Sequence, residues 1–174
     1  ANAINSTTGS ITLTADKMAL SGGTISTGSG GITLKNTTAA NAIKLGSAVD
    51  TTAATLELSN AELATVNTSG LLTIGNVNHT GAITVSAAVA TNPTGGGGTT
   101  LANRTGGMTI NNVLTSGNGT KALTLTADGG AGVAGIIADA VGTTGVVAGL
   151  LTTTSNGGTS LTGAARLEVR SPPP

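Results

Sequence analysis

The chain offers few residue types that commonly do chemistry: one histidine, no cysteine and seven carboxylates. His79 lies in the polar segment 76–81, between two apolar stretches, where an imidazole could bind a metal ion or act as a general base. A metal site needs further ligands, and the sequence has no second histidine and no cysteine to supply them. We therefore interpret His79 as a solvated turn residue.

The carboxylates are the second source of possible chemistry. Enzymes that cleave polysaccharides need carboxyl groups close together, with one of them acting as an acid. Only Glu57 and Glu62 are near each other in sequence, and their spacing does not fix whether they face the same way. We predict solvated outer charges and no catalytic residue among Asp16, Asp50, Glu57, Glu62, Asp128, Asp139 and Glu168.

The glycine-rich segments do not match a ligand-binding motif. Residues 128–132, Asp-Gly-Gly-Ala-Gly, resemble one copy of the calcium-binding nonapeptide repeat, but the repeat occurs once and its second aspartate is absent. No Gly-Lys-Ser/Thr follows any glycine tract, so no phosphate-binding loop is indicated. We predict no metal and no cofactor. Asn-x-Ser/Thr sequons, which permit glycosylation in a suitable host, occur at Asn5, Asn36, Asn67, Asn78, Asn103 and Asn118.

Composition excludes several classes of protein. The net charge is 0 and 8% of residues are charged, which argues against nucleic-acid binding and against docking to anionic lipid. The chain has no Phe, Trp or Tyr, which suits a narrow core better than a broad globular one. The apolar stretch 133–151 contains Asp139 and several glycines, so we interpret it as tightly turned β-structure rather than a membrane helix. No signal peptide opens the sequence, which begins as if within a repeat, so it is either a mature product or a piece of a longer protein.

The elements that must position these residues are marked by a repeated triplet of apolar, polar and apolar residues. Alternation at period two is typical of a strand with one buried face. The polar middle residue should then point outward in each case, and it is most often threonine. The triplets are Ile11/Leu13, Ile32/Leu34, Ile43/Leu45, Leu56/Leu58, Leu72/Ile74, Ile83/Val85, Met108/Ile110, Leu123/Leu125 and Leu167/Val169.

Turn residues separate the triplets at intervals of roughly 10–25 residues, which predicts a stack of short strands. We predict an all-β fold, a right-handed parallel β-helix or β-solenoid of about eight coils, with a rod length of about 40 Å. One domain should span residues 1–170, with a protruding loop at 90–107 rather than a domain boundary there. Residues 61–64 predict a single helical turn, or a bend at a corner of the solenoid, after Asn60. Residues 171–174 form a proline-rich tail or the start of a linker.

Three segments resemble a known family: GSITLTADKMALSGGTISTGSGGITLK at 9–35, TLELSNAELATV at 55–66 and SGLLTIGNVNHTGAITVSAAV at 69–89. They look like the repeat shaft of filamentous-haemagglutinin-like adhesins, the exoproteins of bacterial two-partner secretion. The resemblance rests on repeat style and covers most of residues 1–170. It implies a right-handed parallel β-helix, export across a Gram-negative outer membrane and display at the cell surface. Residues 92–95 resemble that family's secretion motif only weakly, so the resemblance implies that the chain belongs to the shaft rather than to the export signal.

We predict a non-catalytic, extracellular structural protein of the bacterial cell surface, an adhesin shaft or fibre subunit for attachment or biofilm matrix. Its partners would be a host or matrix glycan or surface, and identical subunits stacked head to tail into filaments; nucleic acid and membrane insertion are not expected. One alternative is an ice- or surface-binding solenoid, suggested by outward pairs such as Thr12/Thr14 and Thr124/Thr126. A regular threonine array would need coils of constant length, which the uneven spacing disfavours. The second alternative, a β-helical carbohydrate-active enzyme, lacks an acid cluster in the sequence.

Overall fold

The computed structural model of the chain describes residues 2–47, 50–130, 135–139 and 145–161. This part is almost entirely β-structure, with a single-turn helix, α1 Asn60–Leu63, and one turn of 3-10 helix at Gly117–Gly119. The strands are β1 Asn2–Ser6, β2 Ile11–Thr14, β3 Gly23–Thr27, β4 Ile32–Lys35, β5 Ala42–Leu45, β6 Thr55–Leu58, β7 Val66–Thr68, β8 Leu72–Gly75, β9 Ile83–Val85, β10 Val89–Thr91, β11 Thr99–Asn103, β12 Met108–Ile110, β13 Leu114–Ser116, β14 Ala122–Ala127, β15 Ile137–Asp139, β16 Val146–Val147, β17 Leu150–Ser155 and β18 Thr159–Ser160.

The strands form four parallel sheets. Sheet I has six strands in the order β2-β4-β8-β11-β14-β17, and sheet II has six in the order β6-β5-β9-β12-β15-β18. Sheet III, β1-β3-β7, and sheet IV, β10-β13-β16, have three strands each. All of these strand pairs are parallel. The structure therefore confirms an all-β architecture of parallel sheets, consistent with a β-solenoid.

Consecutive strands of the chain belong to different sheets, and the chain returns to the same sheet after one coil, which we call a circuit. The circuit from β10 through β11 and β12 is followed by β13, β14 and β15, which pair with the same three strands in turn. Residues paired in register on neighbouring circuits are 21 positions apart at Asn5 and Ser26, and 24 apart at Thr99 and Leu123. The circuits are thus longer than the 20 residues assumed from the sequence, and the described part has six strands in each long sheet, where about eight coils were expected.

One circuit contains a step backward. After β5, the chain forms β6, which pairs with β5 on the side away from β9 and so becomes an edge strand of sheet II. The chain then passes through α1 to β7, the next strand of sheet III. This detour explains the longest interval between circuits, in which Ile32 of β4 pairs with Leu72 of β8.

The core consists of the flanking residues of the triplets. From Ile32 to Leu125 the flanking side chains are fully or almost fully buried, while Ile11 and Leu13, at the edge of sheet I, are only partly buried. The predicted inward facing is therefore confirmed for the triplets of the described part; Leu167/Val169 lies outside it. Among the middle residues, Glu57 is the exception to the prediction of outward, solvated side chains, because it is 1% exposed.

Sheets III and IV supply a third side to the core with a different pattern. Their strands contain one buried apolar residue followed two positions later by a buried hydroxyl residue: Ile25/Thr27, Val66/Thr68, Val89/Thr91 and Leu114/Ser116. The hydroxyls of Thr68 and Ser116 bond to carbonyls at a corner beside the sheet, in the previous circuit for Thr68 and in the same circuit for Ser116. Thr68 Oγ1 donates to the Gly30 carbonyl, and Ser116 Oγ donates to the Ala122 carbonyl at 2.9 Å. These bonds satisfy polar groups that would otherwise be costly to bury.

The predicted protruding loop at 90–107 is wrong. Residues 89–91 form β10, and residues 99–103 form β11, which pairs with β8 on one side and β14 on the other. The intervening turn is held by buried Asn92, whose φ is 51°, and whose side chain bonds to both the N–H and the carbonyl of Thr68 at 2.9 Å. The glycines at 95–98 therefore form a tight corner and not an excursion from the stack.

The predicted helical turn after Asn60 is confirmed as α1. Ser59 caps it, because its Oγ accepts from the Glu62 N–H at 3.2 Å while Glu62 Oε2 accepts from the Ser59 N–H at 2.9 Å. Asn60 Oδ1 accepts from the Ala90 N–H at 2.8 Å, so α1 lies against the free edge of β10. The described portion of the apolar stretch 133–151 forms strands β15, β16 and the start of β17, as expected of β-structure.

A column of glycines lines the corner before sheet I. A Cβ on Gly30 would lie 2.2 Å from the Gly9 carbonyl oxygen, one on Gly70 2.7 Å from that of Gly30, and one on Gly97 1.4 Å from that of Gly70. The backbones of successive circuits thus approach more closely here than any side chain allows.

Candidate functional site

A continuous rank of threonines runs across the outer face of sheet I, and we call it the threonine rank. Each member is paired in register with the next: Thr12 with Thr33, Thr33 with Thr73, Thr73 with Thr100, Thr100 with Thr124 and Thr124 with Thr152. The expectation that unequal circuits would disrupt such an array is wrong for this rank. The extra residues are taken up in corners and in the β6–α1 detour, so the strands keep their register.

The hydroxyl groups of the rank are left without hydrogen bonds by the residues that the structure describes. Thr12 and Thr152 are exposed and the members between them are half-buried. Within the described part of the chain, none of these side chains makes a hydrogen bond to another protein group. Neighbouring strands of a sheet are about 4.8 Å apart, so the rank presents one hydroxyl at each such step. Each hydroxyl can donate one hydrogen bond and accept two.

The residues beside the rank make the face nearly uncharged. Two positions before each of the six threonines lies a small or apolar residue: Ser10, Gly31, Leu71, Gly98, Ala122 and Leu150. Leu71 is one of the most exposed large apolar residues, at 49%. Among the strand residues of sheet I, Lys35 is the single charged side chain.

A second rank on the other side is irregular. The position two residues after the threonine is Thr14, Lys35, Gly75, Ala102, Thr126 or Thr154 in successive strands. Ala102 is buried, and Gly75 has a φ of 82°, so the backbone bends there. The sheet thus offers one regular line of hydroxyls and not a two-dimensional array.

His79 does not have the solvated position that the sequence suggested. Its side chain is 0% exposed, and neither ring nitrogen has a hydrogen-bond partner in the described part of the chain. Its backbone is held in the corner between circuits, with its carbonyl accepting from the Arg104 N–H at 2.6 Å. Burial lowers the pKa of the imidazole, and the nearby backbone of Ala82 offsets part of this effect. His79 is therefore a neutral residue of the interior.

The structure brings Asp50, Glu57 and Glu62 around one recess of about 290 Å³, with Ser47 and Ser59 also in its wall. Sequence reasoning does not predict this cluster, because Asp50 lies in the segment between β5 and β6 and the triplet pattern predicts an outward, solvated Glu57. The turn before β6 covers Glu57, whose Oε1 accepts from Ser47 Oγ at 2.6 Å and whose Oε2 accepts from the Thr52 N–H at 2.9 Å. These bonds lower the pKa of Glu57 to about 2.

The other carboxylates of the recess also bind neighbouring groups. Glu62 Oε1 accepts from the Leu20 N–H at 3.0 Å, in addition to its role in the cap of α1. Asp50 lies 3.9 Å from Lys17 Nζ, which also donates to the Asp50 backbone carbonyl at 2.7 Å. Lys44 Nζ lies 4.0 Å from Glu57 Oε1. The carboxylates therefore hold the backbone around β6, and Glu57, with its lowered pKa, is unsuited to act as a catalytic acid.

The remaining sequence candidates lie apart from this recess. Asp16 accepts from the Thr38 N–H and Thr38 Oγ1, both at 2.8 Å, and these bonds lower its pKa. Asp128 is exposed. Glu168, the side chain of Asp139 and the end of the 128–132 glycine segment lie outside the described residues. Among the described residues, no group of three or more histidine, cysteine, aspartate or glutamate side chains could hold a metal ion.

The sequons differ in accessibility. Asn36 is 5% exposed and Asn103 0%, and the Asn103 amide donates to the carbonyls of Gly81 and Gly107 at 2.6 and 3.1 Å. These two side chains are structural and could not carry a glycan in the folded state. Asn5, Asn78 and Asn118 are exposed.

Comparison of the chain with protein-family models, with curated proteins and with solved structures gave no match. Within the described residues, no helix has the length and apolar character needed to cross a membrane. The geometry of the site therefore carries the functional argument.

Proposed function

We propose that the chain is a section of a right-handed parallel β-helix that serves as the shaft of an extracellular bacterial adhesin or as a fibre subunit. The observation that carries the proposal is the pair of six-stranded parallel ladders, sheets I and II, in which each circuit rejoins the previous one in register. Right-handed connections are the rule between parallel strands of a sheet, which supports the right-handed assignment. The sequence resemblance to filamentous-haemagglutinin-like shafts points to the same architecture and to the cell surface.

A structural and non-catalytic role is supported by where the polar groups are used. The buried hydroxyls of sheets III and IV, the amides of Asn92 and Asn103 and the carboxylate of Glu57 all bond to backbone or to neighbouring hydroxyls. The threonine rank on the outer face of sheet I, in contrast, makes no side-chain hydrogen bond to any described residue of the chain. A rod whose buried polar groups mostly bond internally, with the His79 ring and Asn36 Oδ1 as exceptions, and which carries one open polar face suits attachment along its length.

We further propose that copies of the chain associate through the ends of the stack. Strands β1, β2 and β6 are edge strands at one end, with backbone groups available to a further strand. Ile4 of β1 is 50% exposed there, beside a groove of about 240 Å³ lined also by Leu20 and Gly22. A head-to-tail contact between unlike ends does not close, and it therefore produces a filament.

Electron microscopy and sedimentation of the protein at micromolar concentration test these proposals. Thin rods that elongate in steps of one subunit support both the β-helix and the end-to-end contact. Single rods that remain monomeric would contradict the proposed end-to-end contact but not the proposed β-helical shaft. Globular particles would contradict the shaft itself.

The threonine rank favours one second candidate, a protein that binds ice or another ordered surface. Thermal hysteresis and inhibition of ice recrystallisation test it directly, because a shaft without affinity for ice shows neither effect.

A further inference from the structure

We propose that the threonine rank binds a neutral, extended, β-linked polysaccharide, with the polymer lying along the rank and across the strands of sheet I. This inference rests on the proposed role in attachment and names the partner of that face. The rank from Thr12 to Thr152 crosses six strands, and at the usual strand spacing it is about 24 Å long. One pyranose unit of an extended glycan is close in length to one strand spacing, so successive sugars can meet successive threonines.

The chemistry of the rank matches sugar hydroxyls. A threonine Oγ1 can donate to one ring substituent and accept from another, and no protein group competes for it on this face. The threonine methyl groups, together with Leu71, Ala122 and Leu150, offer apolar contact to the C–H faces of the sugar rings. The β-branched threonine side chain has few rotamers, so little conformational entropy is lost when its hydroxyl is engaged.

Charge indicates a neutral polymer. A glycan with carboxylates or sulfates would be recognised by clustered arginine and lysine, and the strands of sheet I carry Lys35 alone. Binding should therefore depend little on salt, since salt screens interactions between charged groups and few such groups lie on this face.

The arrangement of the threonines also favours a single linear polymer over a two-dimensional surface such as ice. An ice face repeats in two dimensions and would need a second regular rank. The positions two residues after the threonines include Lys35, Gly75 and Ala102, which interrupt any such rank. A single polymer chain needs only the regular line that the structure has.

The experiment is a binding assay of the full chain to microcrystalline cellulose and to chitin particles, with polygalacturonate gel as the charged comparison. The test variant carries Thr73→Val and Thr100→Val, which remove two adjacent hydroxyls from the rank and keep the β-branched shape. The matched control carries Thr84→Val and Thr109→Val, an adjacent outward pair at the same two circuits in sheet II. Both pairs are half-buried, so their effects on folding should be alike.

We expect the unaltered chain to bind cellulose or chitin in low and high salt, and the sheet I variant to bind about tenfold more weakly. The sheet II variant should bind as the unaltered chain does. Circular dichroism checks that both variants are folded. If the double variant unfolds, the single variant Thr100→Val replaces it and should bind more weakly than the unaltered chain, whereas Thr100→Ser, which keeps a hydroxyl, should retain most of the affinity.

Three outcomes would overturn the proposal: no binding to either neutral polymer, equal weakening in both variants, or salt-sensitive binding to polygalacturonate alone. If the first of these outcomes is accompanied by affinity for ice, the second candidate function is favoured. None of these outcomes bears on whether electron microscopy shows rods or filaments. A failure of the polysaccharide proposal is therefore distinguishable from a failure of the proposed shaft.

Discussion

His79 shows at the level of one residue how burial changes chemistry. An isolated imidazole with an ordinary pKa would titrate near neutral pH, but this ring lies in the interior without a hydrogen-bond partner among the described residues. A charged imidazole there would lose its hydration and gain no compensating bond. The sequence pattern around it is that of a polar turn, and it gives no sign that the ring is buried in the folded chain.

The first prediction concerns the pH dependence of stability. The pKa of His79 is lowered below its usual value of 6.5 in the folded protein, so the unfolded chain takes up a proton at a pH where the folded one does not. The free energy of unfolding should be unaffected by this group above pH 6.5 and should fall as the pH drops below that value. Urea unfolding at pH 8 and pH 5.5 measures the loss.

His79→Leu is the test variant, because leucine fills the site without a titrating group. We expect the difference in stability between pH 8 and pH 5.5 to shrink in His79→Leu and to persist in the exposed control Asp128→Asn. An unchanged difference in His79→Leu would contradict the assignment.

Glu57 gives the second prediction. Its pKa of about 2 means that the ionised form stabilises the fold above pH 4.5, and that this contribution is lost as the pH falls from 4.5 toward 2. Glu57→Gln places an amide NH₂ opposite the Ser47 hydroxyl or the Thr52 N–H, so we expect a loss of about 1–3 kcal/mol at pH 7.

Denaturant unfolding of Glu57→Gln and of Asp128→Asn at pH 7 and pH 3 tests this. The effect of Glu57→Gln should shrink at pH 3, where the carboxylate of the unaltered chain is largely protonated in the unfolded state but still ionised in the folded state. A loss of the same size in Asp128→Asn, or no loss in Glu57→Gln, would show that the bonds to Ser47 and Thr52 do not contribute as described.

At the scale of elements, the sequence predicted sheets I and II well. The triplets of the described residues lie in strands β2, β4, β5, β6, β8, β9, β12 and β14, all of them in these two sheets. Their period of two is visible because both inward positions are apolar. The match between pattern and strand follows directly from the alternation of side chains in an extended chain.

Sheets III and IV were largely hidden in the sequence for a physical reason. Their second inward position is threonine or serine, whose hydroxyl bonds to a carbonyl at the adjoining corner, so the apolar pattern is half missing. Strand β11 was missed likewise, because inward Thr99 replaces the usual apolar residue; it pairs hydroxyls with Thr91 at 2.8 Å. Apolar periodicity cannot detect an inward threonine whose partner lies in another part of the chain.

The third prediction tests the register of sheet I. Leu125 is fully buried and Thr124 beside it points outward. Leu125→Asp should unfold the protein, because it buries an unpaired charge, whereas Thr124→Asp should cost about 0.5–1 kcal/mol. The loss of stability in Leu13→Asp, at the partly buried edge strand, should lie between those of the other two variants. Thermal unfolding ranks the variants, and equal damage at positions 124 and 125 would refute the register.

The fourth prediction uses the glycine column. A Cβ on Gly97 would collide with the Gly70 carbonyl, while one on its neighbour Gly96 would make an ordinary 3.5 Å contact with Ser69. Gly97→Ala should therefore destabilise the fold by about 1–3 kcal/mol through displacement of the backbone. Gly96→Ala is the matched control and should be nearly neutral. Similar midpoints of urea unfolding for the two variants would contradict the close approach of the circuits.

At the scale of the whole molecule, stability should vary along the stack. Interior strands such as β8 and β11 are paired on both sides, whereas β1, β2 and β6 are paired on one. In a stack whose circuits contact only their neighbours, an end circuit opens without the rest.

Hydrogen exchange followed by mass spectrometry provides the fifth prediction. Amides of β1 should exchange fastest and those of β8, β9, β11 and β12 slowest, with a gradient between them. Uniform protection along the chain would instead show a single cooperative unit. If the ends associate at higher concentration, protection of β1 should rise with protein concentration, which separates this effect from the intrinsic gradient.

The backward step at β6 has a consequence for the order in which the fold can be completed. Consider the chain appearing from its amino end, one residue at a time, during synthesis or export. When Leu45 has emerged, sheets I and III already have two strands each, but sheet II has only β5. Its partner arrives with Leu58, and it must return to the far side of β5. A pause before that residue leaves β5 with an open edge, the kind of surface on which chains mispair. The order of strands in space therefore requires the chain to be available as far as Leu58 before these two circuits can close on all three sides.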